Sequence, residues 1–149
     1  MSEQQIPPQL AEIRDDFLGL ELRDRLQLLL EFSNELPELP ARYADHPDLF
    51  ERVEECQSPV FIFIEVENDI VHMYATAPPE APTTRGFASI LVQGLSGLSS
   101  HDVLELSDDY PQSLGLAKAV SPLRLRGMTG MLARAKRQIR LKNITPQSP

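Results

Sequence analysis

Apolar residues recur along the chain in two periods, and each change of period marks an element. Near the start, Leu10, Ile13 and Phe17 stand three and four apart behind Pro8, which predicts a short helix with proline in its first turn. Leu22, Leu26, Leu29 and Leu30 repeat that spacing and predict a second helix ending before Pro37. Residues 37–50, broken by Pro37, Pro40 and Pro47, carry no period and read as irregular, as does the acidic stretch 51–55. The period then becomes two. Val60, Ile62, Ile64 and Val66 alternate with Phe61, Phe63 and Glu65, the signature of a strand with one apolar face. The polar triplet Glu67-Asn68-Asp69 turns the chain into residues 70–76, a second strand pairing back antiparallel, and Pro78, Pro79 and Pro82 end the hairpin.

The helical period returns afterwards. Thr83 or Thr84 can cap a helix whose Phe87, Ile90, Leu91, Gly94 and Leu95 share a face. Val103, Leu104 and Leu106, after Ser100, fit neither period cleanly. Ser121-Pro122 is a cap followed by a first-turn proline, and it opens a long helix carrying Leu125, Met128, Leu132, Ala135 and Ile139 on one side. Helices flanking a small antiparallel hairpin predict an α+β fold. The length of 149 residues suits a single domain over 1–149, with a frayed polar tail over 143–149.

Charge narrows the functional classes. With 22 acids against 14 bases the formal charge is −8, which argues against a nucleic-acid binder that must neutralise phosphates. The charge is also uneven. Residues 1–75 hold 17 of the acids, while eight bases fall between Lys118 and Lys142 with no acid among them. That basic stretch reads either as a solvated helix face or as a docking surface for an acidic partner. The first eight residues have neither a basic nor an apolar signal region, and the longest apolar run, 60–64, is too short to cross a bilayer. A cytoplasmic protein is expected.

Candidate chemistry converges on one residue. His46, His72 and His101 share no motif spacing, and no phosphate loop or nucleophile elbow appears. Cys56 is the single cysteine, so a disulfide within the chain and a Cys-rich metal site are excluded. It closes the acidic segment and stands just ahead of the first strand, where a loop can present a thiol from a rigid edge. Glu54 and Glu55 oppose a thiolate, and lone cysteines are commonly inert buried hydrophobes. The local sequence leaves both readings open.

The stretch Val53-Glu54-Glu55-Cys56-Gln57-Ser58-Pro59-Val60-Phe61 resembles the Cys-Gln-Ser motif of the SufE family of sulfur acceptors. Thr84-Arg85-Gly86-Phe87 resembles that family's basic-Gly-Leu helix start. Ser121-Pro122-Leu123-Arg124-Leu125-Arg126-Gly127-Met128, with Met131 beyond it, resembles its Ser/Thr-Pro-x-Arg-x-x-Gly-Leu-x-x-Met signature. Asn34-Glu35-Leu36-Pro37-Glu38-Leu39-Pro40 is similar to its Leu-Pro segment, so the likeness runs in order over about 6–142. Relatives commonly carry glycine where this chain has Glu55, and tryptophan where it has Phe61.

The resemblance implies a SufE-like fold and a role for Cys56 as acceptor of persulfide sulfur from a SufS-like cysteine desulfurase, with delivery to a SufBCD-like iron–sulfur scaffold. It implies an accessory sulfur-transfer protein with no cofactor of its own, the pyridoxal phosphate belonging to the partner. Neither nucleic acid nor membrane is an expected partner. Arg124, Arg85, Glu80, Gln57 and Ser58 become candidates for docking or for steadying the thiolate. The rival expectation is a non-covalent regulator of a desulfurase in which Cys56 is structural. A redox sensor ranks behind both, because no resolving thiol is present. Cys56 lying buried at rest and swinging out on docking is a further expectation.

Overall fold

Alternation between apolar and outward-facing residues builds the centre of the molecule. The computed structural model describes residues 6–144. The expected hairpin is present as β2 (Phe61–Glu67) and β3 (Ile70–Thr76), paired in antiparallel register with Ile64 opposite Met73 and Glu67 opposite Ile70. Ile62, Ile64, Val71, Met73 and Ala75 fill its inner face. Asn68 and Asp69 make the two-residue turn with φ of 53° and 65°. Two consecutive left-handed residues match the strand twist, and Asn and Asp adopt that conformation more readily than other side chains.

A third strand joins this hairpin. β1 (Glu51–Arg52) pairs with β2 through Glu51 opposite Ile62 and Arg52 opposite Phe61, giving sheet order β1-β2-β3. The expectation of an irregular 51–55 is corrected here, for a two-residue strand is too short to display a period. Residues 37–50 contain one helical turn, α3 (Ala41–Ala44), and a 3-10 turn at Pro47–Leu49. This segment lies across the outer face of the sheet, where Tyr43 meets Phe63 edge-on at 5.1 Å and Phe50 lies 5.7 Å from the same ring.

Helices cover the inner face. α1 (Pro8–Leu18) buries Leu10 and Phe17, and α2 (Leu22–Asn34) buries Leu29, whereas Leu22, expected on the apolar side, is 39% exposed at the helix start. α4 (Pro82–Leu95) packs against α2, β3, α1 and the last helix and is buried on almost every side, so its stripe is wider than the period suggests. It begins at Pro82, behind Ala81, which offers no side-chain cap, rather than at a Thr83 or Thr84 cap. Proline's preset φ suits the first turn, and the Thr84 side chain is buried instead. A Cβ on Gly86 would lie 2.5 Å from the Leu29 carbonyl oxygen, so only glycine lets α2 and α4 approach this closely.

The undecided segment after Ser100 belongs to a short helix, α5 (Ser100–Glu105), capped by the Ser99 hydroxyl, which accepts from the Asp102 amide at 3.1 Å. α6 (Pro122–Ile144) starts as expected, with Ser121 Oγ accepting from the Arg124 amide at 3.2 Å. Its face of Leu125, Met128, Leu132, Ala135 and Ile139 is buried. The helix continues through 143 and 144, where a frayed tail was expected; the rest of that tail, 145–149, lies outside the described residues. The result is an α+β fold, a three-stranded antiparallel sheet with flanking helices. None of the described helices is long and apolar enough to cross a membrane.

Candidate functional site

The loop carrying Cys56 leaves the sheet between two anchored apolar residues. Val53 donates its amide to the Val60 carbonyl at 2.9 Å, and both side chains are fully buried. Between them the chain turns tightly, with the Cys56 amide donating to the Val53 carbonyl at 3.1 Å. This points the thiol inward, so Cys56 is only 7% exposed.

Its floor is α6. A Cβ on Gly127 would lie 2.9 Å from Cys56 Sγ, and one on Gly130 would lie 2.6 Å from Glu55 Cδ. A methyl at either position would therefore displace the Cys56 or Glu55 side chain that rests there. Residues 127, 130, 134 and 138 succeed one another at spacings of three and four, which places them along one helix face. Farther along that face, Arg134 Nε donates to Glu55 at 2.8 Å and its Nη1 to Glu51 at 2.7 Å. Arg137 also donates to Glu51, and the Gln138 amide donates to the other Glu51 oxygen at 3.0 Å. The Gln138 carbonyl oxygen in turn accepts the Ile64 amide at 2.8 Å, closing the β2 edge where β1 has ended.

Beside the sulfur lies a cavity of about 40 Å³. Cys56, Gln57 and Ser58 line it together with Glu55. Thr84 from α4 and Leu123 and Arg124 from the start of α6 complete the wall. Three of the expected residues, Gln57, Ser58 and Arg124, thus stand around the same space as the thiol. Arg85 does not line it. Its guanidinium donates to the Ser33 carbonyl at 3.0 Å and the Ala77 carbonyl at 2.6 Å, tying the end of α2 to the chain leaving β3. Glu80 is exposed on the turn between β3 and α4 and is also outside the cavity lining.

Burial pushes the Cys56 thiol up to about 11, and the charge of Glu55 adds to the rise while Arg134 and Arg52 oppose it. At neutral pH the resting sulfur is therefore protonated. Glu55 is held below the usual carboxylate range, first by its hydrogen bond from Arg134. For Glu51, burial works upward, but hydrogen bonds from Gln138, Arg137 and Arg134 prevail and lower it. Both acids are thus ionised and paired. Among the described residues no three His, Cys, Asp or Glu side chains converge as a metal-holding group.

The sequence pattern did not single out Thr84 as a lining residue, or Glu51, Glu55, Arg134 and Gln138 as a network. A signal for the network does exist, because two glycines and two polar residues share a face of a helix that is otherwise amphipathic.

The SufE model, described as an Fe-S metabolism associated domain, matches residues 11–139. An uncharacterised SufE-like protein of Mycobacterium tuberculosis is 49% identical over 136 residues, spanning 91% of this chain and 94% of that protein. The chloroplastic and mitochondrial SufE-like protein 1 of Arabidopsis thaliana is 30% identical over 132 residues, covering 87% of this chain but 34% of that longer protein. A solution structure of a hypothetical protein from Thermus thermophilus superposes with a TM-score of 0.82 at 36% identity, over 95% of this chain and 100% of that one. With its thiol loop, its α6 seat and a family match over nearly its whole length, the chain belongs to the SufE family, which is associated with Fe–S metabolism.

Proposed function

We propose that Cys56 accepts a sulfane sulfur from the persulfide of a SufS-like cysteine desulfurase and passes it to an iron–sulfur assembly scaffold. The observation that carries this reading is the placement of the only cysteine against a cavity of about 40 Å³, bordered by Gln57, Ser58 and Arg124. In the transfer, the Cys56 thiolate attacks the terminal sulfur of the donor persulfide. The donor S–S bond breaks, a new S–S bond forms on Cys56, and the donor cysteine leaves as thiolate. One persulfide and one thiol become one thiol and one persulfide, so no external oxidant or reductant enters. The thiol proton given up by Cys56 balances the one taken by the departing donor.

The absence of a second cysteine is an advantage for such a carrier. A neighbouring thiol would attack the new persulfide and discharge it as an internal disulfide. The pyridoxal phosphate that creates the donor persulfide belongs to the desulfurase. A cytoplasmic location, where thiols stay reduced, suits this chemistry.

Incubating the protein with a desulfurase and cysteine, then weighing the intact chain, tests the proposal. A gain of about one sulfur that vanishes in Cys56→Ser is expected. No gain, or a gain undiminished in the variant, overturns it. The burial and protonation of the resting thiol favour a second reading, a non-covalent regulator of the desulfurase with a structural Cys56. Stimulation of desulfurase turnover that survives in Cys56→Ser would select that reading.

A further inference from the structure

The resting thiol is protonated and covered, so something must hold its loop down and something must let it go. Between 53 and 59 the backbone bonds Val53–Val60 and Val53–Cys56 are internal to the loop and its base. Among the described residues Glu54 pairs with Arg52, its neighbour on β1, at 3.9 Å. Among the described residues, Glu55 is the one member of 53–59 whose side chain is bonded beyond the adjoining β1, and its partner is Arg134 of α6. Arg134 spans the base of the loop as well, because it also holds Glu51 on β1.

We infer that Arg134 is the keeper of a latch: by bridging Glu55 and Glu51 it holds the Cys56 loop down on α6, and breaking the Glu55 arm releases the thiol. The role in sulfur uptake rests on Cys56 being the acceptor, but the release itself can be read without any desulfurase.

Geometry makes the latch both effective and weak. The Glu55 side chain lies over Gly130, and Cys56 Sγ lies over Gly127, so the loop rests on a bare strip of helix and adds no interlocking side chain there. The Arg134 and Glu55 side chains are 22% and 36% exposed. Water reaches both, so the pair contributes little net stability and opens at small cost. Glu51, by contrast, keeps Arg137 and Gln138 when Arg134 is lost. Removing Arg134 therefore frees the tip of the loop more than its base.

Arg134 also acts on the thiolate through its charge, and this provides a test by sign. The charged groups acting on Cys56 are Glu55 in its own loop, Arg52 of β1 and Arg134 of α6, with Arg124 also on the cavity wall. If the positive field of Arg134 were its whole contribution, Arg134→Gln would make Cys56 harder to ionise and slower to alkylate. Under the latch the loop lifts, burial is relieved, and alkylation becomes faster with its pH midpoint moved down.

The experiment measures the iodoacetamide alkylation rate of the full chain against pH, with thermal melting as a folding control. Arg134→Gln is expected to react about three- to fivefold faster near neutral pH, the population shift expected on losing one partly exposed pair. Arg137→Gln, which touches Glu51 but not Glu55, is expected to stay within about twofold of wild type. A rate at or below wild type in Arg134→Gln overturns the inference, as does an equal acceleration in Arg137→Gln. If Arg134→Gln does not fold, the wild type in sodium chloride decides. Alkylation by this neutral reagent should accelerate about threefold on going to about 1 M salt, where the pair is screened, and an unchanged rate overturns the latch. Failure of persulfide formation in the desulfurase assay would overturn the acceptor reading and leave these rates untouched.

Discussion

The β2–β3 hairpin and the loop at 53–59 meet at Val60, yet they are held by opposite means. The hairpin is fastened by a backbone ladder and a dry layer of Ile62, Ile64, Val71 and Met73. The loop is fastened by the Glu55–Arg134 ion pair, with Glu51 at its base on the same arginine, and by the close rest of Cys56 on Gly127. Apolar layers separate only when the fold opens, whereas a partly exposed ion pair exchanges partners readily. A rigid platform beside a releasable tip is what a protein needs if it must both shield a thiol and hand it over.

The largest effect should come from breaking the platform. Ile64→Ala removes a fully buried side chain from the inner face and should cost about 2–5 kcal/mol, read as a lowered denaturation midpoint. If that loss proves no larger than the loss from cutting the loop's ion pair, the contrast between the regions fails. Next comes Arg85→Ala, which leaves the Ser33 and Ala77 carbonyls without their guanidinium. It should destabilise by about 1–2 kcal/mol while leaving the sulfur gained per folded molecule unchanged. A folded Arg85→Ala that no longer takes up sulfur would move Arg85 into the site.

Gly127→Ala acts on the loop instead. The new methyl would sit 2.9 Å from Sγ, so Cys56 must shift outward and alkylate several-fold faster. Stability should change by no more than about 1 kcal/mol, because alanine favours the helix while the contact opposes it. Unaltered reactivity would mean that the thiol does not rest on this seat.

The smallest effect concerns acid. Glu51 and Glu55 have folded pKa values below their unfolded ones, so their contribution is present above the ordinary carboxylate value and is lost as pH falls through the lowered one. For Glu55, more than a third exposed, that contribution is below about 1 kcal/mol. Melting temperatures followed down from about pH 6 should therefore fall slightly less steeply in Glu55→Gln than in wild type. Identical slopes would show that the loop pair adds nothing to stability.

Some of this was legible in residue order. The alternation at 60–66 and the Asn68-Asp69 turn specify a hairpin because both are local, each residue's role being set by its immediate neighbours. The α6 apolar face and its Ser121-Pro122 start are local in the same sense. Leu22 and the start of α4 show the limit of that reading. An apolar residue in the first turn of a helix extends past the layer it was expected to join, and a proline outcompetes nearby threonines for the first helical position.

By itself, the sequence determined the hairpin and the long helices, the single thiol and the motifs around Cys56 and Arg124, because periodicity and motif are properties of adjoining residues. Tertiary structure decided that the thiol is buried, that Arg85 serves backbone carbonyls, and that Glu55 meets an arginine 79 positions away. Ion pairs carry no period. Which charges meet depends on where α6 lands beside the β1–β2 loop, and that placement is set by the packing of Met128, Leu132, Ala135 and Ile139 into the shared core.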